Sequence, residues 1–168
     1  MAKKPRATDI FSKWHHSFEN FQASPMDFYS KVELALQKRQ IPDIKGSRVN
    51  WPEGGILSRK REYLRIRRKE YVFDICAAPF GTAFFFSWWL GELPSGFWAL
   101  VSLFPFVGPL LVSWFRRQTY YKMDTAQMFQ DLVHSAVMDV IDGLTTAKGV
   151  GALSEPERRP VIRQFPTR

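Results

Sequence analysis

The sequence predicts an α+β protein: a small α-β-β-β-α domain with a two-helix transmembrane hairpin inserted before its last helix. Three observations lead to this prediction. Two uncharged segments lie close together in the centre of the chain, a dense run of Lys and Arg precedes them, and amphipathic patterns lie on both sides. At 168 residues, the chain is long enough for one domain and an additional element.

Charge and hydropathy are distributed unevenly along the chain. The net charge is +8 and the mean hydropathy is −0.24, yet residues 75–115 contain a single charged residue, Glu92. Residues 1–74 contain 16 Lys or Arg and 9 Asp or Glu. This basic balance indicates an anionic partner, either nucleic acid or phospholipid head groups.

The predicted hairpin consists of "ICAAPFGTAFFFSWWL" (75–90) and "FWALVSLFPFVGPLLVSWF" (97–115), joined through "GELPSG". A helix of nineteen residues spans about 28 Å, close to the thickness of the hydrocarbon core. The first segment is shorter, and it could also begin as a strand and become helical at Pro79. The alternative is a protein without a membrane span that buries a helical hairpin in its interior.

Positive charge on both sides of the hairpin predicts its orientation. Lys and Arg occupy seven of the eleven positions from Arg59 to Lys69, and three follow the second segment. Since short positive flanks stay in the cytoplasm, both termini are expected there, with the protein in the cell inner membrane. Aromatic residues are expected to anchor the hairpin at the membrane interfaces: Trp88, Trp89, Trp98, Trp114, Tyr120 and Tyr121.

The parts outside the hairpin show clear signals for helices and strands. Residues 24–27, "SPMD", place a capping serine, a first-turn proline and an acidic residue at the start of a helix. Alternating residues within 43–77 predict three strands. A second amphipathic helix is expected to begin at Asp124 and to leave Met128 and Met138 exposed.

These elements divide the chain into five parts. Residues 1–23 are an aromatic, basic segment that lies either in the membrane interface or against the domain. Residues 24–77 form the helix and strands, 78–115 the hairpin, 116–147 the second helix packing on the sheet, and 148–168 a flexible tail.

The strongest candidate site is the arginine-rich strand that precedes the first apolar segment. Alternation places Arg59, Arg61, Tyr63, Arg65 and Arg67 on one face of the strand and the leucine and isoleucine between them on the other. The proposed surface for anionic lipid or a partner comprises Arg59, Arg61, Arg65, Arg67, Arg68, Lys69, Arg116 and Arg117. Several cations near an anionic bilayer would each contribute about 1 kcal/mol of attraction.

Signals for chemistry are weak. The single cysteine, Cys76, cannot form an internal disulfide, and the adjacent His15 and His16 are a poor metal pair. His134 and Asp131 could pair locally on the second helix, and Asp74 is expected to be either a partner for a nearby arginine or a helix cap. No catalytic residue, cofactor or metal is expected.

The predicted function is therefore non-enzymatic: a two-pass membrane-anchored protein that presents a basic domain for protein interaction or scaffolding. Its partners are expected to be an anionic lipid bilayer and either a partner protein or further copies of the chain. One alternative is a pore of oligomerised hairpins. Another is a membrane-tethered RNA-binding module, since α-β-β-β-α is also the order of double-stranded-RNA-binding domains. A surface enzyme would have to bring Asp74, His134 and Glu53 together.

Overall fold

In the computed structural model, residues 9–52, 60–93 and 120–162 are described. Within these ranges, six strands form one antiparallel sheet in the order β2-β3-β4-β5-β1-β6. The strands are β1 (Asp9–Phe18), β2 (Ile44–Pro52), β3 (Lys60–Arg68), β4 (Tyr71–Phe80), β5 (Ala83–Glu92) and β6 (Val161–Ile162). The helices are α1 (Pro25–Lys38), α2 (Tyr120–Ala147) and α3 (Glu155–Arg158). The two long helices pack on one face of the sheet.

Helix α1 forms as its sequence predicts. The Ser24 side chain caps it by accepting a hydrogen bond from the Asp27 backbone N–H, and Pro25 occupies the first turn. Its apolar face is buried against the sheet through Phe28, Val32 and other side chains. Phe28 lies 4.9 Å from Phe86 of β5, measured between ring centroids.

Residues 75–90 form most of β4 and β5, so the prediction of a transmembrane hairpin is wrong. Gly81 and Thr82 make a two-residue turn between Phe80 and Ala83. Gly81 has a φ of 60°, a conformation that glycine adopts without steric cost. The second predicted span, residues 97–115, lies outside the described residues.

The uncharged character of 75–90 follows from the central position of β4 and β5 in the sheet. Their side chains are buried on both faces: Ile75 and Phe86 face the helices, while Cys76 and Ser87 are buried on the opposite side. A short apolar run of this kind has no periodicity that separates a buried strand from a buried or membrane helix.

The N-terminal aromatic segment forms β1 and packs in the domain. Its register with β5 shifts between Ile10 and Ser12, so Phe11 is an extra residue in the strand. This bulge lets Phe11 pack against the core together with Trp14 and Phe18. The resulting spacing of three and then four residues imitates that of a helix.

Helix α2 begins at Tyr120, so Asp124 lies inside the first turns and is not its cap. The predicted apolar stripe is buried, from Phe129 to Leu144. Met138 is also buried, contrary to the prediction, whereas Met128 is 64% exposed.

The segment predicted as a flexible tail docks on the domain as far as Ile162. Arg158 of α3 forms two 2.8 Å hydrogen bonds to the carboxylate of Asp142 on α2. The Trp14 Nε1–H donates to the Glu157 carbonyl at 2.7 Å, and β6 pairs with β1. These contacts hold the end of the described chain beside β1.

None of the helices that the structure describes combines the length and the apolar character needed to cross a bilayer. The prediction of transmembrane helices is therefore not supported by the described part of the chain. The expected inner-membrane location with cytoplasmic termini stays a prediction.

Candidate functional site: the basic face of the sheet

The strand registers define a surface on the side of the sheet away from the helices. Residues directly opposite each other in paired strands share a face. This face carries five cations, here called the basic face: Lys13, Lys45, Arg61, Arg65 and Arg67. Among the described strand residues, Asp74 is the one carboxylate on the same side. The prediction that Arg61, Arg65 and Arg67 share one face, with Leu64 and Ile66 on the other, is confirmed.

Arg65 differs from the other cations of the basic face because it is buried and paired within the protein. Its side chain is 4% exposed, and its Nε and Nη2 atoms each lie 2.6 Å from a carboxylate oxygen of Asp74. The guanidinium carbon also lies 5.2 Å from the Trp51 ring centroid. The expectation that Asp74 is a partner for an arginine is confirmed, and Arg65 is held by the protein itself.

Lys45 and Arg67 are, with Arg61, the exposed cations of the basic face. Lys45 and Arg67 lie directly opposite each other on β2 and β3, and both are exposed. Neither forms an ion pair with any residue in the described part of the chain, although Arg67 Nε donates to the Lys69 carbonyl at 2.8 Å. Like charges in directly opposed positions are destabilising. The repulsion between Lys45 and Arg67 therefore lowers the free energy of unfolding, and no described carboxylate compensates for it.

The remaining predicted cations are not all on this face. Arg68 is half-buried, pairs with Tyr71, and donates through Nε to the Pro42 carbonyl at 3.2 Å. Lys69 is exposed in the turn between β3 and β4 with a φ of 51°. The others lie outside the described residues: Arg59, Arg116 and Arg117.

Four of the six predicted aromatic anchors lie in the described part of the chain, in three different environments. Trp88 is a core residue, fully buried, and its Nε1–H donates to His134 Nδ1 at 3.1 Å. Trp89 is 38% exposed on the basic face, with Lys13 Nζ 5.5 Å from its ring centroid. Tyr120 and Tyr121 are 87% and 74% exposed at the start of α2. Trp98 and Trp114 lie outside the described residues.

Sequence reasoning missed how many aromatic side chains share the basic face. Tyr63 stands in the arginine stripe itself, and neighbouring strands add Trp51, Phe85 and Trp89. In the sequence, these aromatic residues occupy alternate positions of β2 and β5, which places them on one face of the sheet. This pattern could be recognised only once the segments were known to be strands in this register.

Residues considered for chemistry are separated by the sheet. Asp74 lies on the basic face, whereas His134 lies on α2 against the other face, and Glu53 is outside the described residues. Asp131 accepts a hydrogen bond from Gln127 at 2.8 Å. Burial raises the pKa of the Cys76 thiol, which disfavours the nucleophilic thiolate.

No group of three potential metal ligands occurs within residues 9–52, 60–93 and 120–162. The basic face is a charged, aromatic surface suited to binding. Comparisons of the chain with protein-family models, curated proteins and solved structures found no match.

Proposed function

We propose that this protein is a non-enzymatic interaction module whose basic face binds an acidic segment of a partner protein. One observation carries the proposal: Lys45 and Arg67 lie directly opposite each other, exposed, without a described counter-charge. A carboxylate supplied by a partner would relieve this repulsion, so binding and charge neutralisation are coupled.

The third exposed cation extends the same row. Arg61 lies on β3 six residues before Arg67, on the same face, directly opposite Trp51. Alternate residues of a strand are about 7 Å apart, so Arg61 and Arg67 are separated by about 20 Å. A short extended acidic segment spans such a distance.

The row of exposed cations is confined to one margin of the sheet, and this favours a protein partner over nucleic acid. The centre of the face is buried at Val72, Cys76 and Ser87, which leaves the exposed cations along the β2–β3 margin. Nucleic acid is held by positive grooves that follow its backbone over several nucleotides. Here the exposed tryptophan of the face, Trp89, already has the Lys13 Nζ atom 5.5 Å from its ring centroid.

The helix layer supports a scaffolding role for the same domain. Leu34 of α1 is 57% exposed, and Met128 and Leu132 of α2 are 64% and 38% exposed. Met128 and Leu132 are one turn apart and therefore neighbours on the helix surface. The protein thus offers apolar contacts on the side of the sheet opposite the basic face.

The proposal is tested by fluorescence polarisation of the full-length protein with three labelled probes. These are a polyglutamate peptide of about 20 residues, a single-stranded RNA of similar length, and vesicles containing phosphatidylserine. The peptide is expected to bind best, and more weakly as salt rises from about 50 to about 300 mM, because surface charges are screened. Arg67→Glu is expected to weaken peptide binding about tenfold or more.

Lys38→Glu is the matched control, since it makes the same change of charge at an exposed position on α1. It should leave peptide binding within about twofold of the unchanged protein. Equal losses for Arg67→Glu and Lys38→Glu would show a response to net charge alone and reject the proposed face. If RNA or vesicles bind more tightly than the peptide and Arg67→Glu weakens that binding, that partner would replace the acidic protein.

A further inference from the structure

A cleft opens between two hairpins at the end of the sheet where α1 begins. Strand β3 is paired with β2 as far as Pro52 and Lys60. Its pairing with β4, in contrast, ends at Leu64 and Ile75, while β4 stays paired with β5 up to Phe80. The two hairpins therefore separate, and a cavity of about 750 Å³ lies between them.

The floor of this cleft is formed by Tyr29 of α1. Its hydroxyl donates to the Glu62 carbonyl at 2.9 Å and accepts from the Ala77 N–H at 3.0 Å. It thus bridges the two strands at the point where their own ladder has ended. Two residues further along β4, Pro79 lacks the N–H needed to continue the ladder. The separation is consequently built into the sequence.

The walls of the cleft combine aromatic rings with positive charge. Trp51, Tyr63 and Phe80 supply the rings, and Phe80 is 76% exposed at the tip of the β4–β5 hairpin. Lys60 and Arg61 are both exposed at its edge.

One carboxylate, that of Glu62, also lines the cleft, and it pairs with Arg48, which does not line the cleft. Glu62 Oε1 lies 3.7 Å from Arg48 Nε. The net charge of the side chains that line the cleft is therefore positive.

We propose that this cleft binds a nucleoside phosphate, with the base against the aromatic walls and the phosphate beside Lys60 and Arg61. Bases stack on aromatic side chains, and arginine and lysine pair with phosphate oxygens. The volume lies in the range of small-molecule sites. The ligand is either a free nucleotide or one nucleotide of a single strand, since both present the same groups.

An extended peptide strand fits the cleft less well. Adding a strand requires free backbone donors and acceptors on the cleft-facing edges. The Ala77 N–H is already bonded to Tyr29, and Pro79 has no donor. On the β4 side, the backbone therefore offers little to an added strand, and the side chains determine what binds.

The test uses the full-length protein and isothermal titration calorimetry with AMP, adenosine, inorganic phosphate and a short oligouridylate. AMP or the oligonucleotide is expected to bind at least about tenfold more tightly than adenosine or phosphate alone, because both halves of the cleft are engaged. Phe80→Ala and Arg61→Gln should each weaken that binding about tenfold. Both positions are exposed, and thermal melting verifies that the variants fold.

Lys38→Gln is the matched control, because Lys38 is an exposed cation on α1 that does not line the cleft. It should leave nucleotide binding within about twofold of the unchanged protein, since charge effects at this distance are screened. Binding of AMP without the oligonucleotide identifies a free nucleotide as the ligand, and the reverse identifies a single strand.

The proposal is overturned if neither probe binds, if phosphate binds as tightly as AMP, or if Phe80→Ala and Arg61→Gln leave binding unchanged. Phe80 has no part in the proposed acidic-partner surface. A loss confined to Phe80→Ala or to Arg67→Glu therefore separates the two sites.

Discussion

Arg65 on β3 lies directly opposite Asp74 on β4, and two of its guanidinium nitrogens lie 2.6 Å from the two carboxylate oxygens. The side chains are 4% and 13% exposed. This ion pair lies within a face that otherwise carries positive charge, and it divides the arginine stripe into a structural member and exposed members.

Asp74→Asn is expected to destabilise the protein by about 3 kcal/mol, because it leaves the Arg65 charge buried without its partner. The double replacement Arg65→Met with Asp74→Leu should cost less than the single change, since no charge is left behind. Urea unfolding measures both free energies. Lys31→Gln, which breaks the exposed pair with Asp27, is the control and should cost less than about 0.5 kcal/mol. Similar costs for Asp74→Asn and Lys31→Gln would contradict the structural role of the buried pair.

Tyr29→Phe removes the hydroxyl that bridges β3 and β4. The Glu62 carbonyl and the Ala77 N–H then lose their partner, and we expect a loss of about 1 to 3 kcal/mol in the free energy of unfolding. Thermal or urea unfolding gives the value. Tyr121→Phe, at a 74% exposed position, is the matched control and should have no measurable effect. If the two variants were equally stable, the Tyr29 hydroxyl bridge would make no contribution to the free energy of unfolding.

Arg67→Glu should stabilise the folded protein while it weakens partner binding. The new carboxylate would lie directly opposite Lys45, which replaces a repulsive cross-strand pair by an attractive one. The expected gain is about 0.5 kcal/mol, read from urea unfolding at low salt. Arg67→Gln should give a smaller gain because it removes repulsion only. A loss of stability in both variants would show that the Lys45–Arg67 repulsion is absent.

Stability is expected to depend on pH through His134. Burial lowers the pKa of His134 below its ordinary value of 6.5, and Arg158 lowers it further, while a backbone hydrogen bond with Arg158 and the Asp131 charge oppose the shift. Its Nδ1 accepts from Trp88 and so must be unprotonated. The unfolded chain therefore binds the proton first, and stability is full above about pH 6.5 and falls as the pH decreases below it.

Urea unfolding at several pH values measures the slope of the free energy of unfolding against pH. His134→Gln should reduce this slope. Part of the slope should remain, because burial also lowers the pKa of His16. Met128→Gln, at an exposed position on α2, serves as the control and should keep the slope of the unchanged protein. A slope unaltered by His134→Gln would exclude this histidine as its source.

Local signals were correct where the chemistry of a few neighbouring residues decides the structure. The cap at Ser24 with Pro25 after it started α1 as predicted, and alternation placed Arg61, Arg65 and Arg67 together. The same kind of reasoning left two locations open for the aromatic segment at β1, where a bulge at Phe11 produces helical spacing within a strand. It failed at 75–90, where a central strand pair had the composition of a membrane segment.

By itself, the sequence determined the amphipathic helices, the strands with alternating residues, the positive balance and the shared face of the arginines. Only the tertiary structure decided that β4 and β5 lie in the middle of the sheet, that Arg65 is neutralised by Asp74, and that a cleft opens above Tyr29. The physical reason is that burial on both faces removes the polar half of the strand pattern. Cross-strand neighbours, moreover, are set by a register between residues far apart in the chain.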